Sequence, residues 1–147
     1  MISLEKIYRI IDANLNRATE GLRVIEDVVR FILNNAHLWG EIRRTRHSLV
    51  KIMKEEASFD FHKLITCRDS YNDVGADFKE EGREGIENII RANFRRVEEA
   101  ERSLEEFSKL ITPSLSEKFK KIRFQTYSLE KRVEEKLYNA LHNKQKS

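Results

Sequence analysis

The chain has 147 residues, 39% hydrophobic and 36% charged, with one proline and five glycines, a composition too apolar for a disordered chain and ample for one core. Its 28 basic and 25 acidic residues are mixed along the length, which argues against a dedicated DNA binder. The single cysteine, Cys67, excludes an intrachain disulfide and an all-thiolate metal site.

No apolar run approaches a membrane-spanning length and no signal-like segment precedes Glu5, so the expectation is a cytoplasmic protein with no membrane contact. Apolar periodicity predicts a first helix from about Ser3 to Asn34. Ile7, Ile11, Leu15, Ala18, Leu22, Ile25, Val28, Val29 and Ile32 share one arc, with Asn16, Arg23, Asp27 and Arg30 opposite. Asn34-Asn35 supplies the break. A second helix follows over about Ala36–Ala57, with Leu38, Ile42, Leu49, Ile52 and Met53 inward and Arg46 on the flank of that stripe.

Residues 58–83 lose the periodicity. Phe59, Phe61, Leu64 and Ile65 read as short anchors, and Arg68–Gly75 is rich in turn formers. A crossover this long in a compact bundle is expected to carry function. The third helix is expected from Glu84 to Ile111, ended by Thr112-Pro113; the fourth starts near Ser114 or Ser116 and packs Leu115, Phe119, Ile122, Leu129, Val133 and Leu137. The tail from His142 reads as frayed.

The two halves repeat. Ile10–Ile32 aligns with Ile89–Ile111 without a gap, and nine of 23 positions are identical, among them Asn14/Asn93, Arg17/Arg96, Glu20/Glu99, Arg23/Arg102 and Glu26/Glu105. Ile42-Arg43 and Ser48-Leu49 recur 80 positions on as Ile122-Arg123 and Ser128-Leu129. Two copies are too few for a solenoid. The expectation is a single all-α domain: four long helices in a bundle of two pseudo-symmetric helix pairs, about 3–57 and 84–142, joined by the irregular crossover.

Asn14 and Asn93 fall near the middle of the apolar arcs, with Arg17 and Arg96 at their edges and small Gly21 and Ala100 nearby. A buried amide without a partner costs about 1–3 kcal/mol, so each must be satisfied by a helix, water or a ligand. One reading is a specificity pin between helices; the other is a polar pocket. Glu101 also points inward where the first copy has Leu22, and Glu130 and Arg123 are placed to meet it or Arg96. Glu20, Arg23, Asp27 and Arg30 read as a solvated face. His47 has no second ligand at zinc spacing, and no glycine-rich phosphate loop is present.

Five ordered motifs resemble a known family: DANLNRATEGLRVIED (Asp12–Asp27), RHSL (Arg46–Leu49), RDSYNDVG (Arg68–Gly75), ANFRRVEE (Ala92–Glu99) and YSLE (Tyr127–Glu130). Together they resemble ThiD2, the helical domain that often precedes thiamine-phosphate synthase in one polypeptide. The resemblance implies a hydroxymethylpyrimidine phosphate kinase that moves the γ-phosphoryl of ATP, with Mg²⁺, onto 4-amino-5-hydroxymethyl-2-methylpyrimidine phosphate. It also implies a functional link to thiamine-phosphate synthase, whose barrel has no counterpart in these residues. One departure from the family pattern is Glu101, where an apolar residue is expected.

For that chemistry the candidate phosphate-handling arginines are Arg17, Arg46, Arg68 and Arg96, because a planar fork of donors matches phosphate oxygens. Asp69 and Asp73 are the candidate metal carboxylates, with Asp12 in reserve and turn capping as the structural alternative for the pair. Asn14, Glu20, Asn93, Glu99 and Arg123 are the candidate substrate-binding residues. Two other classes stay open: a non-catalytic pyrimidine-phosphate binding or regulatory domain, and a helical interaction or nucleic-acid-binding module. The inward asparagines disfavour the last, so no specific nucleic acid is expected. A homodimer is left open.

Overall fold

Ser3 starts the first element. Its backbone is extended and its hydroxyl accepts from the Lys6 amide at 3.4 Å, opening α1 at Leu4–Asp27. A computed structural model describes residues 2–56, 60–80 and 82–143. Along α1 the predicted arc is buried from Ile7 to Ile25. The helix then widens into a single π turn, Val28–Ile32, closed by the Leu33 amide donating to the Val28 carbonyl at 3.1 Å. The extra residue in that turn keeps Val28 and Val29 buried but turns Ile32, expected inward, out to solvent beside Phe31. Asn34 then takes a left-handed φ of 52° and Asn35 caps the next helix, accepting from the Leu38 amide at 3.0 Å.

Helix α2 spans Ala36–Glu55 and buries Leu38, Ile42, Leu49 and Met53, with Ile52 only half-buried. The expected end at Ala57 and the anchor Phe59 lie outside the described residues. A short helix α3, Phe61–Thr66, opens the crossover, capped by Asp60 and pinned to the core by Leu64. Helix α4, Ile86–Ser108, is two to three residues shorter at each end than the periodicity predicts.

The last helix, α5, is Pro113–His142; the tail beyond Asn143 lies outside the described residues. It begins at the proline, ahead of the serines expected to start it. Pro113 has the φ that a first helical turn needs and no amide to leave unpaired, so no side-chain cap is required. Ser116 turns inward instead and donates its hydroxyl to the Glu105 carbonyl at 2.7 Å, tying α5 to α4.

Four long helices pack together as the repeat implies, with no strand among the described residues. The central pair is α1 and α4, antiparallel; α2 packs on α1 and α5 on α4. The central helices approach so closely at Gly21 that a Cβ there would lie 2.6 Å from Val97 Cγ2 and 3.3 Å from the Asn93 carbonyl. The small residue therefore serves helix contact; the room expected beside it for a ligand is filled by Val97. Gly21→Ala is expected to lower stability by about 1–3 kcal/mol despite alanine's better helix propensity, read as a lower urea midpoint with an unchanged m-value.

Candidate functional site

A cavity of about 650 Å³ opens between the N-terminal half of α1, the crossover and the C-terminal end of α4. One helical face supplies most of it: Lys6, Arg9, Ala13 and Arg17 recur at steps of three or four, with Asn14 and Asp12 beside them. The crossover supplies Arg68, Asp69, Asn72 and Asp73, and α4 adds Phe107.

Asp12 and Arg68 join the two walls. The carboxylate, 5% exposed, accepts from Arg68 Nε at 2.8 Å and Nη2 at 2.7 Å, a two-pronged pair. The Asp12 bond is the main reason the Arg68 pKa is raised, and Glu20 adds to it through space. The exposed Glu20 is thus an electrostatic neighbour of this site. Arg17 is exposed, and its side chain donates to Asn14 Oδ1 at 3.4 Å; no carboxylate lies within ion-pair distance of it among the described residues. Asn14 in turn donates to the Ile10 carbonyl at 2.8 Å, so one N–H and one lone pair on its oxygen stay available.

Asp69 accepts from the amide and the side chain of Asn72, and those two bonds hold its pKa below the usual range. Asp73 accepts from the Gly75 amide at 2.8 Å. Both therefore shape turns as Asx residues do. No group of three metal-ligating side chains occurs among the described residues, so a protein-only cage for Mg²⁺ is absent there. An ion held by one or two carboxylates, water and phosphate oxygens fits the pair that faces this cavity.

The other predicted residues sit elsewhere. Arg46 is locked on Glu26, which is 1% exposed, through two hydrogen bonds across the α1–α2 hairpin. Arg123 holds Glu105 across the α4–α5 hairpin by a single hydrogen bond, Nε to Oε2 at 2.8 Å. Neither is on the cavity wall. The physical reason is a buried acid on each central helix, which an arginine must neutralise. The repeated identity Glu26/Glu105 was the available signal for these pairs. Asn93 mirrors Asn14 in donating to its own helix at the Ile89 carbonyl, 2.8 Å away, but faces Gly21 and lines no part of this cavity. Arg96 pairs with exposed Glu80 at 3.2 Å. Lys6 and Arg9 were missed because a lone basic residue on a helix surface carries no motif; their spacing with Arg17 was the usable clue.

Glu99 lines a second cavity, together with Glu98 and Glu130. Burial, then a hydrogen bond shared with Glu130 and repulsion from it, pushes the Glu98 carboxyl up to about 8. Glu101, fully buried, accepts from the Thr126 hydroxyl at 2.8 Å, and burial raises it well above the carboxylate range. Folded Glu98 holds a proton that the unfolded chain has released. Its contribution to stability is therefore complete below its unfolded pKa of about 4.5 and is lost as pH rises through about 8. Urea midpoints are expected to fall between pH 6 and pH 9, and Glu98→Gln to flatten that decline; an equally steep decline in the variant would assign it to other groups.

The ThiD2 family's sequence profile matches residues 9–132. Similar curated proteins include the thiamine-phosphate synthases of Nostoc punctiforme, 46% identical over 127 residues, and of Synechocystis, 40% identical over 127 residues. That of Rhodopirellula baltica is 36% identical over 134 residues. These alignments cover 84% to 89% of this chain but 34% to 35% of each relative, so the chain spans about a third of the length of the relatives it matches. No solved structure matches it. No helix of the described residues is long and apolar enough to cross a membrane.

Proposed function

The chain belongs to the ThiD2 family, and from that premise we propose that it is a hydroxymethylpyrimidine phosphate kinase of thiamine biosynthesis that uses ATP and Mg²⁺. The observation that carries this reading is the cavity on α1, where Lys6, Arg9, Arg17 and Arg68 gather around three aspartates and three asparagines. Such a wall suits two phosphate groups and a polar ring.

The nucleophile is an oxygen of the substrate's own phosphate, mostly dianionic at neutral pH because its second pKa is about 6. It bonds to the γ-phosphorus as the bridging bond to ADP breaks. No strong base is needed; the barrier is bringing two anions together and spreading the charge on the transferred group. Arg17, with no acid at ion-pair distance among the described residues, would reach phosphate oxygens with its fork of donors. Asp12 holds Arg68 by two of its nitrogens and so fixes its orientation. Lys6 and Arg9 add positive potential at the rim, and the remaining hydrogen-bonding capacity of Asn14 suits the amino group or a ring nitrogen. Asp69 and Asp73 would hold Mg²⁺, which supplies charge neutralisation to the nucleotide phosphates when bound.

The test is phosphate transfer from ATP to hydroxymethylpyrimidine phosphate by this chain alone, read as diphosphate product. The short coverage of relatives named as synthases favours one other reading, a binding or regulatory module for the same pyrimidine phosphate. Saturable binding without diphosphate formation would establish that module in place of the kinase.

A further inference from the structure

The two hairpin seams of this pseudo-symmetric body differ in their acids. Where the α1–α2 seam has Thr19, Leu22 and Val50, the α4–α5 seam has Glu98, Glu101 and Glu130 at the positions 79 or 80 residues on. The first half shows how this fold fills those three positions without acids: Leu22 is fully buried and Thr19 donates to its own helix at the Leu15 carbonyl, 2.9 Å away. The carboxyls of the second seam are therefore no packing requirement.

They also lack what the other buried acids possess. Asp12, Glu26 and Glu105 each carry a guanidinium. Glu98, 6% exposed, and Glu101, at 0%, each keep one buried oxygen with no hydrogen-bond partner. An acceptor left so costs about 1–3 kcal/mol unless something donates to it. Glu98 and Glu130 stand on the wall of a cavity of about 540 Å³, and Tyr127 borders the same cavity.

We propose that this cavity binds a small, flat organic cation with paired N–H donors, of the amidinium type, held by the Glu98 and Glu130 carboxyls. Donors answer the orphaned oxygen and a positive charge answers the acid pair; the exposed Tyr127 ring on the same wall already has the Arg123 guanidinium 5.8 Å from its centroid, so the carboxyls carry the recognition. A chelated metal does not suit the seam, since no three acids converge on one point among the described residues. Of the basic residues on the rim, Arg102 is already spent on Glu105 at 3.1 Å and Glu106 at 2.8 Å; Arg95 acts on Glu98 through space. Glu99, on the same wall, adds negative potential. The folded seam keeps a proton on the acid pair at neutral pH, and an arriving cation displaces it. This site is separate from the arginine-lined cavity on α1, so it stands or falls independently of the kinase reading.

Benzamidine is the probe, titrated into the intact protein at pH 7 by calorimetry in two buffers of different ionisation heat. The expected result is one saturable site, release approaching one proton per ligand, and no comparable binding of neutral benzamide. Glu98→Gln and Glu130→Gln are expected to weaken affinity by about tenfold or more. Glu98→Thr installs the residue of the first half and serves if the glutamine variant loses helicity. Binding that ignores these substitutions, binding without proton release, equal binding of benzamide, or no binding at all would each overturn the proposal and leave the acid pair as a proton-sharing contact.

Discussion

Arg17→Met is expected to lower kcat/KM for transfer to the pyrimidine phosphate by about 10³-fold, the scale of removing an arginine that stabilises a transferring phosphoryl group. That corresponds to about 4 kcal/mol of lost transition-state stabilisation. The urea midpoint should barely move. Arg17 is exposed, and its side-chain hydrogen bond goes to the neutral oxygen of Asn14, so its loss strands no charge. Arg68 makes a poorer first test, because removing it leaves the buried Asp12 carboxylate without its partner and mixes folding with catalysis. If Arg17 acts in the transition state, kcat carries the loss; if it only binds substrate, KM does. Unchanged values for both would remove Arg17 from the site.

The second large effect is on folding. Arg46→Ala is expected to cost about 3–5 kcal/mol, because Glu26 would stay buried against α2 with no cation to balance it. Replacing both residues together, Glu26→Leu with Arg46→Leu, is expected to recover much of the loss, since an apolar pair of similar bulk removes the stranded charge. Denaturant titrations of the single and double variants measure this directly. Turnover per folded molecule separates the roles: a kcat fall in Arg46→Ala beyond the fraction unfolded would return Arg46 to the chemistry.

The long helices were legible because apolar periodicity marks each of them, and Ser3 and Asn35 cap as their types suggest; Pro113, read as the end of one helix, also opens the next. Errors of detail came where geometry departs from the ideal helix, as at Ile32 after the π turn, or where a side chain had a better partner, as with Ser116. The site was half legible. Asn14, Arg17, Arg68, Asp69 and Asp73 do come together at one cavity, whereas Arg46, Arg96, Arg123, Asn93 and Glu99 do not join them there. Repetition marked Glu26 and Glu105 as special without saying that their partners come from the facing helices. Those partners are not repeat equivalents: Arg46 aligns with Thr126, and Arg123 with Arg43.

By itself the sequence determined four amphipathic helices, their order, the duplication that pairs them and the family to which the motifs belong. Periodicity reports the direction of a side chain about its own helix axis, and that is all those features need. Only the tertiary structure decided which polar residues meet. A guanidinium finds its carboxylate through the rotation and register of one helix against another, and the crossover sets Arg68 on Asp12 from 56 residues away. Two helices can carry the same repeated residues and still differ in their contacts, because a contact belongs to the pair of surfaces and not to either pattern alone.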